Sequence, residues 1–199
     1  MGKVILNISM SLDGFIAGPK DEANPDRELE ALDVLHDWMF RNKTGAEAEE
    51  WESAYLKHAG AFIMGRRVFD LGVGSWGANP TFHAPCFVLS HEAQETILKQ
   101  GGTSYFFITD GIASALEKAR AAAGGKDIVL NGGANVAQQF LRAGLLDAIN
   151  LHIVHVLLGE GIRLFDNIGN QQIQLEKINA TEIPGVTHIR FLVVNQALS

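Results

Sequence analysis

Between Lys3 and Met10, apolar side chains fall on alternate sides of the chain: Val4, Leu6 and Ile8 on one, Ile5 against Asn7 on the other. A period of two predicts a strand. Residues 11–18 read as a loop turning at Asp13-Gly14, and residues 19–27 as polar surface loop. Leu29, Leu32, Leu35 and Met39 then recur at helical spacing, with Glu30, Asp33 and Asp37 opposite, and Arg41, Lys43 and Gly45 form a suitable helix exit. A second helix is expected over 46–58, with Trp51, Tyr55 and His58 on one side and Glu47, Glu49 and Glu50 in its first turns. Short apolar runs alternate with helical patterns after that. Strands are predicted at 62–64, 87–89, 104–108 and 127–130. Helices are predicted at 67–71, 92–99, 112–123 and 136–143, with a loop over 72–85. From residue 147 strands dominate: one at 147–158, then 172–181 and 188–195 joined as a hairpin through Pro184-Gly185. The expected fold is α/β: a mostly parallel central sheet flanked by helices, with an antiparallel C-terminal edge. No repeat or composition shift divides the chain, so one domain over 1–199 is expected.

Composition narrows the partners. The 199 residues are 47% hydrophobic and 20% charged, ordinary for a globular protein with a sizeable core. A net charge of −7 argues against nucleic acid or an anionic membrane surface. The single cysteine, Cys86, has no partner for an internal disulfide and lies in an apolar strand. No run approaches a membrane span, and the N-terminal residues lack a secretory leader pattern, which together predict a cytoplasmic protein.

The candidate chemistry sits at strand ends. The apolar run Ile128-Val129-Leu130 stops at Asn131-Gly132-Gly133-Ala134, and a helix begins at once. Glycines allow close backbone approach, and the helix aims unpaired N–H groups and its positive dipole end at the turn. Such a corner suits a phosphate, though a simple turn has the same pattern. A second corner, Met64-Gly65-Arg66-Arg67, supplies local cations; a third run, ending at Leu89-Ser90-His91, completes a set that fits an elongated polyanion such as a dinucleotide. The spacing is not the Rossmann fingerprint. Ser90 also suits an N-cap, and Asp13 a plain turn. Trp38 and Trp76 are candidates for lining a planar-substrate pocket, with core packing the alternative. The seven histidines form no metal site: His152 and His155 are three apart in a predicted strand and point to opposite faces. His155 is expected in the core or an interface.

The chain resembles the dihydrofolate-reductase-like family, in its branch related to the C-terminal reductase domain of the bifunctional riboflavin-biosynthesis deaminase–reductase. The matching pieces are Met10-Ser11-Leu12-Asp13-Gly14-Phe15-Ile16-Ala17-Gly18, Met64-Gly65-Arg66-Arg67, Asn131-Gly132-Gly133-Ala134, and Val156-Leu157-Leu158-Gly159-Glu160-Gly161 followed by Leu164-Phe165. They occur in order along nearly the whole chain. The resemblance implies NADPH as hydride donor, a homodimer, and reduction of a C=N or C=O group in a small pterin- or pyrimidine-like heterocycle, as in dihydrofolate reductase and 5-amino-6-(5-phosphoribosylamino)uracil reductase. It implies that Gly65, Arg66 and Arg67 grip the pyrophosphate and adenosine side. Gly132, Gly133, Ala134, Asn135 and Val136 would turn amides to the phosphates. Leu89, Ser90 and His91 would surround the adenosine and its 2′-phosphate, and Ile16, Ala17 and Gly18 would pass beside the nicotinamide. Asp13 would lie between cofactor and substrate, supplying or orienting the proton. Val68 stands where the family often has Thr, and Asn131 where the riboflavin-pathway enzyme typically has a carboxylate. Those departures motivate one alternative, a nucleotide-binding module without turnover; the glycine corner holding a single phosphate gives another, a flavin- or sugar-phosphate-binding protein.

Overall fold

The computed structural model describes residues 2–20, 26–41, 56–170 and 172–194. Nine strands form the main sheet: β1 (Val4–Ser11), β3 (Ala59–Gly65), β4 (Pro85–Leu89), β5 (Ile97–Leu98), β6 (Ser104–Ile108), β7 (Asp127–Leu130), β8 (Ala148–Val154), β10 (Gln174–Ile183) and β11 (Val186–Val194). Their order across the sheet is β10-β11-β8-β1-β7-β3-β4-β6-β5. From β8 to β6 every pairing is parallel; β5 and the β10–β11 hairpin close the two edges antiparallel. The expected fold class holds. Two small strands, β2 (Phe15–Ala17) and β9 (Ile162–Arg163), pair antiparallel above the main sheet.

Helices cover both faces. On one, α3 (Ile112–Ala123) and α4 (Ala134–Arg142) bury Leu116, Ala119, Phe140 and Leu141 against Val4, Leu6, Ile63, Ile128 and Leu130. On the other, α2 (Arg66–Gly72) packs Phe69 over Phe62, Met64, Val88 and Tyr105, and α1 (Asp26–Arg41) packs Leu35 and Trp38 over Val154 and Val186. The alternation of β1 and β3 follows: successive side chains enter different layers.

Several expectations are corrected. The loop over 11–18 contains β2, because Phe15, Ile16 and Ala17 are buried and find a partner in β9. No helix forms over 92–99. The Ser90 hydroxyl takes the Glu92 N–H at 3.1 Å, residues 91–96 lie exposed, and Ile97–Leu98 joins the sheet edge. With no apolar stripe to bury, a helix there has nothing to hold it. The strand expected to run to 158 stops at Val154. On α1 the inward face is turned from the expected stripe: Leu29 is 44% exposed, whereas Glu28, Leu35 and Trp38 are buried. Of the helix expected over 46–58, residues 56–58 are helical and Trp51 and Tyr55 lie outside the described residues.

Trp38 is buried in the core, and Trp76 is half-buried against it. Trp38 donates Nε1–H to Ser9 Oγ at 3.1 Å and packs on the rings of His152 and His188, 4.9 and 4.7 Å away. Trp76 stacks on Tyr105, meets Phe82 edge-on and lies over Gly72, where a Cβ would fall 2.2 Å from its ring. A large ring next to an open glycine is drawn into an apolar cluster before it lines a wet cleft. His155 is exposed, with Nε2 at 2.9 Å from Thr187 Oγ1, so it is not core.

Candidate nucleotide-binding edge

Because β1, β7, β3, β4 and β6 are parallel, their C-terminal ends form one edge. That edge carries Ser11 to Asp13, Asn131 to Ala134, Gly65 to Arg67, Leu89 to His91, and Ile108 to Gly111. Chain order reverses here: β3, β4 and β6 step outward, then β7 returns between β3 and β1. Open α/β sheets bind ligands at such a switch point. Residues far apart in sequence therefore meet. Strands sit about 4.8 Å apart, so β1 to β4 spans roughly 14 Å, the scale of an extended dinucleotide rather than of one phosphate.

The centre of the edge is the glycine corner. Gly132 has φ +88°, and its peptide bond to Gly133 is cis. Gly65 N–H donates to Gly132 O at 3.0 Å, and Asn131 N–H to Ile63 O at 2.9 Å, so the β3 and β7 ends are tied together. A Cβ on Gly65 would lie 3.2 Å from Val136 Cγ2, and one on Gly133 3.6 Å from Val68 Cγ2. The corner is thus walled by Val68 and Val136. Helix α4 begins with Gly133 as its N-cap and no side-chain cap; its first backbone bond runs from Ala137 N–H to Gly133 O at 3.1 Å. The N–H groups ahead of it have no intrahelical partner, the arrangement that suits an anion at a helix start. Asn135 is exposed and accepts from Gln139 at 2.6 Å; Val136 and Ala134 are buried.

The two arginines diverge. Arg66 Nε–H donates to Asp70 at 2.7 Å, and its guanidinium lies 5.7 Å from the Phe107 ring centre on β6. It therefore points along the edge toward β6. Arg67 turns the other way and forms an ion pair with Glu28 in the first turn of α1. Ser90 N–H is held by Ile108 O at 3.0 Å, and His91 is exposed. Ile16 and Ala17 are buried in β2, and Gly18 lies so close to α1 that a Cβ would fall 2.6 Å from Arg27 O.

Asp13 is a brace. Its carboxylate accepts from Ser11 Oγ at 2.6 Å, Gly159 N at 2.7 Å and Leu158 N at 3.1 Å, and its carbonyl accepts from Arg163 Nη1 at 3.0 Å. The Ser11 hydroxyl and then the two amides hold the carboxyl down at about 2. A carboxylate held ionised in this way is better suited to orienting a proton than to supplying one. Its contacts pin the 156–159 turn beside β2. Asp13→Asn replaces one acceptor oxygen by a donor facing a backbone N–H. The expected result is a lower melting temperature, which thermal unfolding checks.

Three residues of this region carried little sequence signal. Gln138, buried on α4, donates to the carbonyls of Arg163 and Leu164 at 3.2 and 3.1 Å and fixes the segment beneath β2. Arg163 lies 4.4 Å from the Phe15 ring centre. Glu28 is buried although it sits one residue from the expected apolar stripe. No group of three or more metal-ligating side chains occurs among the described residues, and no described helix is long and apolar enough to cross a membrane.

A parallel sheet with a glycine corner at its switch point and an antiparallel C-terminal hairpin is a dihydrofolate-reductase-like fold. The model of the RibD C-terminal domain matches residues 2–189, and the chain belongs to that family. Among its relatives is YyaP of Bacillus subtilis (strain 168), an uncharacterized protein 28% identical over 198 residues, covering 94% of this chain and 93% of that one. A crystal structure of a protein from Shewanella sp. PV-4, assigned to riboflavin biosynthesis, matches with a TM-score of 0.72 at 22% identity, over 97% of this chain and 99% of that one. Dihydrofolate reductase of Enterococcus faecalis, in complex with NADP(H), matches with a TM-score of 0.59 at 14% identity, over 98% of each chain. Reductases are among the solved proteins that share this fold.

Proposed function

We propose that this protein is an NADPH-dependent reductase acting on a C=N or C=O group of a small heterocycle of the pterin or pyrimidine type. The observation that carries this reading is the gathering of the β7, β3 and β4 ends around the uncapped start of α4. The amides at Gly133 to Val136 would receive the pyrophosphate, Arg66 with Ser90 and His91 the adenosine end, and Ile16 to Gly18 the nicotinamide. When bound, NADPH supplies the hydride. The chain's own residues align it and exclude water: β2, closed over by β9 and the Asp13-held turn, forms a dry wall beside the reacting face. Asn131, an amide at the head of the corner, points to a substrate other than the riboflavin-pathway intermediate. A homodimer in the cytoplasm completes the reading.

Calorimetric titration with NADPH and NADH, separately, tests it. Micromolar or tighter binding with NADPH preferred is expected. Arg66→Ala should weaken NADPH by about 1–3 kcal/mol, the loss of a charge-assisted contact. Failure of both nucleotides to bind the wild-type protein would leave the corner an ordinary turn. Slow NADPH oxidation in the presence of pterins or pyrimidines would separate an enzyme from a binding module.

A further inference from the structure

Among the described residues Glu28 is the only Asp, Glu, Lys or Arg that is buried. Its side chain is 5% exposed, while that of its partner Arg67 is 47% exposed. A carboxylate is rarely taken out of water unless something fixes it there. Both its oxygens are engaged by one guanidinium: Arg67 Nε donates to Oε1 at 2.5 Å, and Nη2 reaches Oε2. This side-on fork fixes the guanidinium plane as well as its position, which a single contact would not do.

Placement makes the pair more than a surface bridge. Arg67 is the second residue of α2, whose first turn touches the glycine corner through Val68. Glu28 lies in the first turn of α1, directly against Gly18: a Cβ there would stand 3.0 Å from Glu28 Cα. The pair thus joins the two walls of the edge, the phosphate corner and the strand assigned to the nicotinamide side. Arg27, the neighbouring residue, is paired with Glu160 in the turn that Asp13 holds. Alone, an arginine side chain this exposed would sample many rotamers and lose that freedom on meeting a phosphate. Held by Glu28 through Nε and Nη2, it has already lost much of it, while the Nη1 donors are not used by Glu28 and the side chain stays 47% exposed.

We propose that Glu28 is a positioning residue for the cofactor phosphates. It touches no cofactor atom but presets Arg67, and through Arg67 sets NADPH affinity. This rests on the NADPH reading above.

The test is a double-mutant cycle on NADPH binding, with E28Q, R67A and E28Q/R67A measured beside wild type. Glu28→Gln keeps the size and removes the charge; Arg67→Ala removes the phosphate ligand itself. E28Q is expected to raise the NADPH dissociation constant about tenfold, as for one loosened charge-assisted contact. R67A should cost at least as much. The double variant should bind no worse than R67A alone, because Glu28 acts only through Arg67. A merely structural Glu28 would lower the melting temperature of E28Q without changing its NADPH affinity, or would give additive losses in the double variant; either overturns the proposal. Glu28→Asp, which keeps the charge but withdraws it by one methylene, should bind with intermediate affinity, and covers the case in which E28Q does not fold. Wild-type protein that binds no NADPH would instead end the underlying reading, an outcome distinct from an unaltered E28Q.

Discussion

Gly161→Ala is expected to destabilise the protein by about 3–5 kcal/mol, the sum of a strained backbone and a forced contact. Gly161 has φ +139°, a region L-residues rarely adopt. A Cβ there would lie 2.1 Å from Ala17 O and within 3.3 Å of two further backbone carbons, at Ala17 and Gly18. Backbone atoms cannot swing aside as a flexible side chain can. Relief requires parting the 159–161 turn from β2, which breaks the pairing of Ala17 with Ile162 and Phe15 with Arg163. The wall assigned to the nicotinamide would move with it, so NADPH affinity should fall together with stability. Gly159→Ala is the matched control: Gly159 has φ +76° but open space where its Cβ would stand. It should cost only the left-handed penalty of about 1–2 kcal/mol. Urea unfolding of both variants decides; equal losses would mean that the turn yields freely and does not brace β2.

The second large effect is a fall in stability under mild acid. His152 and His188 meet Nδ1 to Nδ1 at 2.7 Å beneath Trp38, with His152 Nε2 3.2 Å from Asn7 Oδ1. One ring must donate and the other accept, so the pair is built for neutral imidazoles. Burial first, then His188 and His36, push His152 down to about 3; burial pushes His188 down to about 4. In the unfolded chain both titrate near 6.5. Between those limits the unfolded state binds more protons, so stability rises with pH across the window and drains away as pH falls from about 6.5 toward 4 and below. For His152 the loss is on the order of 3–5 kcal/mol, at about 1.4 kcal/mol per unit. Urea midpoints from pH 7.5 down to 4 should show the decline. His188→Asn removes one titrating ring and leaves an amide; it should flatten the slope between pH 6.5 and 4 relative to wild type. An unchanged slope would place the acid sensitivity in the carboxylates instead.

The motifs at the strand ends were legible because their chemistry is local. Gly132-Gly133 and Gly65 announce themselves by lacking a Cβ exactly where an apolar run stops, and β1, β7 and the C-terminal hairpin by period and turn residues. Those signals need only a few neighbouring positions. The failures share another character. The helix expected at 92–99 satisfied local propensity but had no surface to bury against. Leu29 and Glu28 exchanged roles because one residue of rotation about α1 depends on what lies across from it. Trp38, with His152 and His188 below it, and Asp13, held by Leu158 and Gly159, were settled by partners distant in sequence, and Trp76 by Tyr105 on another strand together with nearby Phe82.

By itself, then, the sequence determined the fold class, the set of glycine-bearing strand ends that meet at one edge, and the branch of the family, since glycine placement, periodicity and motif order are properties of the chain. Only the tertiary structure decided which side chains those ends turn toward one another. It brought Glu28 to Arg67 and Asp13 to the 158–159 amides, and it buried His152 against His188. Burial and pairing are relations between segments brought together by the sheet, and an ionisable group takes its role from what surrounds it once water is gone.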